Sequence, residues 1–573
     1  MEMVNITVDG QELQVQKNST VLEAARIAGI KIPTLCYHPE LRPEGNCRVC
    51  MVEVKGARTL VASCVYPVSE GMVVNTNTVG VREARKTVVE LLLANHPQDC
   101  LSCQRNLNCE LQTIAADLGV RKIRFEGEKK SYPLDNSNPS LVRDQSKCIL
   151  CGRCVRACSE RQGVNVYSFA NRGFKTTVVP AFNQGLDKVA CTYCGQCASV
   201  CPTGAIVVKD DTLSVWRELA NPQKHVVVQT APAVRVALGE ALGLNLGEAV
   251  TGKMVAALRR LGFDKVFDTN FSADLTIMEE GAEFLHRLKN GGKLPMITSC
   301  SPGWVNFAEL FYPDLLDHLS TAKSPQQMFG AIVKTYYAEK AGIDPANIVS
   351  VSVMPCTAKK GEAAREEMKS SGYKDVDFVI TTTELAAMIK ESGIDFASLA
   401  EEKYDDPMGI ATGAGVIFGA TGGVMEAALR TLSELVTGEE LKDIEFHNVR
   451  GLNGVKEAEI ELGDKTVKVA VAHTLLNARA LMDKIRRGEA DYHFIEIMAC
   501  PGGCIGGAGQ PINLSAGFRQ KRIDAIYDCD TKSELRKSHK NPAICELYDT
   551  WLGKPLGEKS HHLLHTTYQP QKR

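Results

Sequence analysis

At the start of the chain apolar and polar residues alternate: Val4, Ile6 and Val8, then Gly10, then Leu13 and Val15. A period of two on both sides of a glycine predicts a β-hairpin, and a helix-like run from Thr20 to Ala28 follows it. A second helix-like run covers about Val81 to Asn95. Beyond about residue 210 another unit recurs, in which a short apolar, β-rich run ends in a loop of polar or sulfur residues and a helix pattern follows. His225–Gln229 runs into Thr230-Ala231-Pro232, and Leu294–Ile297 into Thr298-Ser299-Cys300-Ser301-Pro302-Gly303-Trp304. Asn347–Val353 runs into Met354-Pro355-Cys356, and Tyr492–Ile497 into Met498-Ala499-Cys500, with Cys504 just beyond. Strands followed by helices predict parallel sheets, whose ligands gather outside the strands' C-terminal ends. Cys300, Cys356, Cys500 and Cys504 are therefore expected to converge. Phe378–Ile380 followed by Thr381-x-x-Glu384 predicts a capping box that starts a helix after a strand.

Composition narrows the class. The 573 residues are 44% hydrophobic and 23% charged, as in a soluble multidomain protein. Lys and Arg number 66 against 68 Asp and Glu, so no overall positive field exists to recruit nucleic acid or an anionic membrane. The N-terminus has no basic segment before an apolar run, and no stretch approaches the ~20 apolar residues of a membrane span. A cytoplasmic protein without nucleic-acid partner or membrane span is expected. The 21 cysteines change the picture most: fifteen lie in the first 201 residues, so the excess belongs to one region. In a long, unsignalled chain with CxxC groups, metal ligation is the better reading than a disulfide framework.

The cysteines fall into groups. Cys36, Cys47, Cys50 and Cys64 form C-x10-C-x2-C-x13-C, three close thiolates and a distant fourth, which follows the logic of a plant-type [2Fe–2S] centre with a longer loop. His96, Cys100, Cys103 and Cys109 offer one imidazole and three thiolates, enough for a [4Fe–4S] cluster or, on spacing alone, a structural zinc site with the same four ligands. The run Cys148, Cys151, Cys154, Cys158 and the run Cys191, Cys194, Cys197, Cys201, the second followed by Pro202, are two copies of the bacterial C-x2-C-x2-C-x3-C pattern. The fourth Cys of each such run serves the other cluster. Cys148, Cys151, Cys154 and Cys201 are thus assigned to one [4Fe–4S] cluster, and Cys158, Cys191, Cys194 and Cys197 to the next. So many centres in about 200 residues read as an electron wire. Cys529 and Cys545 stand apart and read as structural thiols. Gly413, Gly415, Gly419, Gly422 and Gly423 lack the G-x-G-x-x-G spacing of a dinucleotide site and read as tight turns.

The first two groups resemble the N-terminal iron–sulfur domains of complex I large subunits and hydrogenases. Three later loops, TSCSPGW, MPCTAKKGE and EIMACPGGCIGGAGQP, closely resemble the three signatures of the [FeFe]-hydrogenases. Module order resembles the long monomeric clostridial type over essentially the whole chain. The resemblance implies an α+β multidomain protein: a β-grasp, plant-type ferredoxin-like [2Fe–2S] domain at 1–80, a [4Fe–4S] segment with one histidine and three cysteine ligands at 81–125, a bacterial two-cluster ferredoxin domain at 126–210, and a large α/β catalytic domain at 211–573. It implies reversible reduction of protons to H2 at an H-cluster, a [4Fe–4S] cubane joined through a cysteine sulfur to a di-iron azadithiolate unit with CO and cyanide. Accessory [2Fe–2S] and three [4Fe–4S] clusters would relay electrons from a ferredoxin or flavodoxin-like carrier, and maturation proteins would supply the di-iron unit.

Carried over by position, Cys356, Cys500 and Cys504 match cubane ligands, Cys504 being the shared thiolate. Lys359 matches a lysine beside a cyanide. Met354 and Met498 match sulfur contacts to the di-iron unit, and Pro232, Pro325 and Gln326 other neighbours. Cys300 holds the place of a proton donor, and Glu280, Glu283, Ser320 and Arg287 fall where the family's proton path runs. Without the family, Glu280, Glu283 and Arg287 read as an ordinary polar helix stripe. The usual first motif is TSCCPGW; here Ser301 stands where the fourth cubane cysteine is expected. Either Ser301 is that ligand or the loop shifts to bind through Cys300. A non-catalytic electron-transfer subunit of an NADH-linked complex, and a hydrogen sensor or assembly protein on the same fold, are the competing readings.

Overall fold

The structure is a computed structural model and describes residues 2–463 and 465–572. Its contacts divide the chain into two compact units. One comprises Met1–Glu160, Asn165–Val189 and Cys197–Val207; the other comprises Arg161–Val164, Ala190–Gln196 and Val208–Arg573.

In the first unit the expected hairpin is present as β1 (Met3–Val8) and β2 (Gln11–Gln16), paired antiparallel. Helix α1 (Val21–Ile27) starts at Thr20, whose hydroxyl accepts from the Glu23 amide while Glu23 reaches back to the Thr20 amide. With β3 (Met51–Val54), β4 (Val61–Ala62) and β5 (Met72–Asn75) the hairpin makes a five-stranded sheet of order β2-β1-β5-β3-β4, in which β1 and β5 run parallel. The alternating residues Val4, Ile6, Val8 and Val15 all enter one core with α1, and Cys50 and Cys64 lie in that core. Helix α2 (Val79–Asn95) ends at His96, whose extended φ/ψ stops the helix.

The second unit is built on two four-stranded sheets. The first comprises β6 (His225–Thr230), β7 (Lys265–Asp268), β9 (Ile348–Met354) and β10 (Phe378–Thr381) in the order β7-β6-β9-β10, every pair parallel as expected. The second comprises β8 (Met296–Ile297), β11 (Val455–Leu462), β12 (Lys465–His473) and β13 (Phe494–Met498) in the order β8-β13-β12-β11. Here β8, β13 and β12 are parallel, but β11 pairs antiparallel with β12. The strands expected to be parallel are so, and β11, which was not foreseen, adds an antiparallel edge. Long helix α3 (Thr269–Asn290) follows β7, α4 (Pro302–Phe311) follows β8, α5 (Ala358–Ala363) follows β9, and α6 (Thr382–Glu391) follows β10. The predicted capping box at Thr381 and Glu384 is present, and it lies buried.

The central strand β9, IVSVSVM, is buried at every position, because helices cover both faces of a parallel sheet. Its Ser352 hydroxyl is satisfied by the Gln326 side chain, so a polar residue is tolerated in the core. Phe284 of α3 stacks on Phe494 of β13 with ring centroids 5.0 Å apart, both rings fully buried. Each such side chain contributes ~1.5–3 kcal/mol by burial. This packing fixes the C-terminal ends of the strands, where the cysteine loops begin.

Candidate functional site

In the first unit the four N-terminal thiols form one cluster of sulfur. Hydrogen bonds from Cys47 and Cys64 lower the Cys36 thiol, and one from Cys64 lowers Cys50; Cys47 and Cys64, as donors, are raised. Thiols that already share protons this closely are placed to become the thiolates of one iron centre. His96 meets a stricter test of fit. Its Nδ1 faces the Pro97 carbonyl at 2.7 Å, so Nδ1 carries the proton, and among the described residues its buried Nε2 has no hydrogen-bond partner of ordinary geometry. A carbonyl behind one nitrogen and an open lone pair on the other is the arrangement of a metal-ligating imidazole.

Cys148, Cys151, Cys154 and Cys201 line one cavity. Burial raises the thiols of Cys148, Cys151 and Cys154, and the charge of Cys201 raises them further. This one of the two groups read from spacing is therefore a spatial group. The two cysteine runs also repeat in backbone conformation: Leu150 and Gly152 in the first, and Tyr193 and Gly195 in the second, all have positive φ. Left-handed residues at such spacing turn amide groups inward, as anion-binding loops do. Arg156, unforeseen from sequence, donates to the Cys36 carbonyl at 2.7 Å and the Cys151 carbonyl at 3.3 Å, tying two cysteine loops together. Arg153 does the same between segments through a bidentate pair with Glu110, next to Cys109.

In the second unit the loops after β6, β8, β9 and β13 meet in a single cavity. Cys300, Ser301, Cys356, Cys500 and Cys504 line it, with Pro232, Pro325, Gln326, Met354, Lys359 and Met498. Every residue predicted for the cofactor pocket is there; Thr269 and Phe418 also line it and were not foreseen. Burial raises all its thiols, Cys504 to about 12, and the charge of Cys356 raises Cys500 and Cys504 further. Such a set of soft donors ionises only when iron supplies the opposing charge. This donor set fits an iron–sulfur cubane.

Neighbouring residues of the first motif point differently. The Ser301 hydroxyl accepts from the Ala499 amide at 3.2 Å, beside Cys500. The Cys300 thiol feels chiefly burial and the charge of Glu280, which raise it, against Lys359, which lowers it. Trp304 closes the loop by donating its indole N–H to the Thr298 carbonyl at 3.1 Å. Lys359 Nζ is fixed by Glu362 at 2.9 Å and by the Cys300 carbonyl at 3.2 Å, and Glu362 also receives Ser324 and Gln326. Glu362 was missed, although it closes the quoted MPCTAKKGE motif; a lysine in an apolar pocket needs a carboxylate partner, and that was the available signal.

The loop carrying Cys194 packs into the same unit. Thr357, next to Cys356, donates to the Tyr193 carbonyl at 2.8 Å. A Cβ on Gly195, whose φ is +68°, would collide with the Thr357 hydroxyl, so only glycine permits this approach. Cys194 is close enough to Cys500 to raise its thiol, and Arg161 lies by both, with Gln196 receiving its guanidinium at 2.9 Å.

On α3, Glu280, Glu283 and Arg287 are not a solvated stripe. Glu280 is 1% exposed, neither carboxylate oxygen has a hydrogen-bond partner of ordinary geometry, and burial with the nearby Glu283 charge pushes it up to about 8. Glu283 receives Arg287 Nη2 at 2.6 Å and the Ser320 hydroxyl at 3.0 Å. Cys529 is half-buried and Cys545 exposed, both outside the pocket. The glycine segment forms a short helix, Gly413–Ile417, then turns at Gly422, where the Gly422 and Met425 amides donate to buried Glu496.

Comparison with known proteins finds family matches along most of the chain. Residues 224–508 match the family described as iron only hydrogenase large subunit, C-terminal domain, and residues 516–571 match iron hydrogenase small subunit. Residues 1–79 match a 2Fe-2S iron-sulfur cluster binding domain, 85–124 the NADH-ubiquinone oxidoreductase-G iron-sulfur binding region, and 147–205 a 4Fe-4S dicluster domain. The chain is 54% identical to NADP-reducing hydrogenase subunit HndD of Solidesulfovibrio fructosivorans, over 100% of both chains. It is 43% identical to iron hydrogenase 1 of Clostridium pasteurianum, over 99% of this chain and 100% of that one. The solved [FeFe]-hydrogenase HydA1 from Chlamydomonas reinhardtii aligns with a TM-score of 0.57 at 48% identity, covering 63% of this chain and 99% of that chain.

Proposed function

The chain belongs to the iron-only, or [FeFe], hydrogenases, and from that premise we propose how its residues divide the work of interconverting protons and H2. It is an enzyme with an H-cluster domain and ferredoxin-like [2Fe–2S] and [4Fe–4S] modules, and its substrates are H2 and protons. A non-catalytic relay is not favoured, because such a subunit has no use for the cysteine pocket after β8, β9 and β13.

The domains run 1–80, 81–125, 126–210 and 211–573, holding one [2Fe–2S] cluster, three accessory [4Fe–4S] clusters and the H-cluster. Cys356, Cys500 and Cys504 hold the cubane. Ser301 would be its fourth ligand, a reading supported by its hydroxyl accepting from the Ala499 amide, next to Cys500, while the charge of Glu280 acts on the Cys300 thiol. When bound, the di-iron unit supplies the redox chemistry that joins electrons to protons. The protein supplies charge, exclusion of water and proton delivery. Lys359, held by Glu362, presents an ammonium to an anionic diatomic ligand. Met354, Met498, Pro232 and Pro325 keep the pocket apolar, and Gln326 orients Lys359 through Glu362.

The proton route runs from Arg287 and Glu283 through Ser320 to Glu280 and then Cys300 Sγ. A carboxyl held near 8 keeps its proton at neutral pH and can hand it on. Cys194 would hold the accessory cluster next to the cubane, and its nearness to Cys500 supports this assignment.

A ferredoxin or flavodoxin-like carrier supplies the electrons in the cytoplasm, and maturation proteins deliver the di-iron unit. A second reading of the partner has support of its own: HndD is named a subunit of an NADP-reducing hydrogenase, and likeness to it extends over the whole chain. Copurification of flavin-bearing subunits with the native protein favours that reading; a lone chain favours the carrier. The central test is the matured protein. It should evolve H2 from a reduced viologen and show CO and cyanide bands in the infrared; bands without turnover in either direction would remove the assignment as an enzyme of H2.

A further inference from the structure

Behind the proton route lies a second hydrogen-bonded chain that the route does not use. Thr321 donates its hydroxyl to Glu283 Oε2 at 3.0 Å and lies 2.8 Å from His565 Nδ1. His565 Nε2 lies 3.0 Å from Glu279 Oε2. Glu279 is fully buried and also receives the Tyr548 hydroxyl and the Leu556 amide. His565 is 5% exposed, and the exposed ring of His561 stacks on it with centroids 4.8 Å apart.

Counting protons decides what the chain can hold. Glu283 accepts from Arg287, Ser320, and both the amide and hydroxyl of Thr321, and in this arrangement it donates none of these bonds. Thr321 has spent its one hydrogen, so its oxygen accepts from Nδ1–H. The contact between Nε2 and the Glu279 carboxylate then needs a proton of its own. His565 and Glu279 together thus hold one proton more than a neutral imidazole beside a carboxylate. A second arrangement uses the same atoms: the Nδ1 proton passes to Thr321 oxygen while the Thr321 hydrogen passes to Glu283 Oε2. That leaves Glu283 protonated, His565 neutral with Nε2–H still on Glu279, and no heavy atom displaced.

We propose that His565, held by Glu279, is a proton store that exchanges one proton with Glu283 through the Thr321 hydroxyl. The inference rests on Glu283 being part of the proton route. It gives the C-terminal segment, which carries His565, Tyr548 and Leu556, a chemical part in turnover. Groups facing the ring are Glu279 from α3, Thr321 from the loop after residue 319, Tyr548 behind Glu279, and His561 on its own helix; Arg287 lies beyond Glu283.

The test uses the matured, cluster-loaded enzyme. Thr321→Val removes the bridge with little change of shape, Thr321→Ser keeps it, and His565→Gln keeps a polar side chain that cannot relay a proton between two ring nitrogens. The store matters where solvent protons are scarce. Thr321→Val and His565→Gln should each slow H2 evolution at alkaline pH by roughly tenfold, less than the ~10²–10⁴ for deleting a general acid, and leave the acid limb unchanged. Thr321→Ser should restore the rate, and the double variant should be no slower than either single one. The deuterium exchange profile of the His565 ring C2–H against pH should also shift in Glu283→Gln. Equal losses at all pH, or a Thr321→Val enzyme indistinguishable from the parent, would overturn the store. If Glu283→Gln itself evolves H2 normally, the proton route falls first; if it is inactive while Thr321→Val and His565→Gln behave as the parent, only the store falls.

Discussion

Glu280 shows how much one buried residue can commit. An acid raised from 4.5 to about 8 binds its proton more tightly folded than unfolded. Between those values the native state holds more protons than the unfolded chain, so stability falls as pH rises through this window. The loss is on the order of several kcal/mol, at ~1.4 kcal/mol per pKa unit. Glu280→Gln removes this titration. Thermal unfolding of Glu280→Gln and parent apoprotein should coincide near pH 5, and the variant should be the more stable by pH 8. A parent whose melting temperature does not decline relative to the variant over that range would mean that Glu280 is ionised in the fold. The same variant should lose H2 evolution, so the residue is kept at a cost in stability.

At the scale of elements, the loop between β8 and α4 carries two adjacent residues, Cys300 and Ser301, for which we propose different tasks. Strand β8 ends its pairing at Ile297, and Pro302 and Gly303 start α4, where the Cβ that Gly303 lacks would press on Ala499. Trp304 holds the loop by its indole bond to Thr298. Thus pinned at both ends, the loop turns Cys300 and Ser301 to different neighbours. Cys300→Ala should leave the cubane's iron and its paramagnetic signal in place while cutting H2 evolution by ~10²–10⁴. Loss of about four irons in that variant would make Cys300 a ligand. This proposed division was not legible in TSCSPGW itself: the letters give two candidate ligands, and the Ala499 amide on the Ser301 hydroxyl is what supports one of them. The antiparallel strand β11 was also missed. Its alternating EAEIEL pattern was available in the sequence, but it belongs to a hairpin that carries no cysteine and stands outside the strand-loop-helix repeat.

For the whole molecule, the cysteine groups predict the metal content. Full maturation should load about 20 irons per chain, counting one [2Fe–2S], three [4Fe–4S] and six irons of the H-cluster. His96→Ala should then lose up to about four of them. About one zinc per chain in the parent, with about 16 irons, would instead return the His96 group to a structural zinc site. Removal of iron by chelation should destabilise each module it occupies, because buried thiols raised as Cys148, Cys151 and Cys504 are cannot ionise unaided.

The chain's sequence determined the modules by itself, because iron–sulfur ligation needs several thiolates at short, fixed spacings, and such spacings survive in one dimension. It also determined the parallel β-loop-helix plan and the capped helix after Thr381, whose signals are local. Tertiary structure alone decided which distant groups meet. The nearness of Cys194 to Cys500, the burial of Glu280 and the chain Glu283, Thr321, His565, Glu279 join residues up to 306 positions apart. Burial sets their charge states, and burial is a property of the packed interior, which no local pattern records.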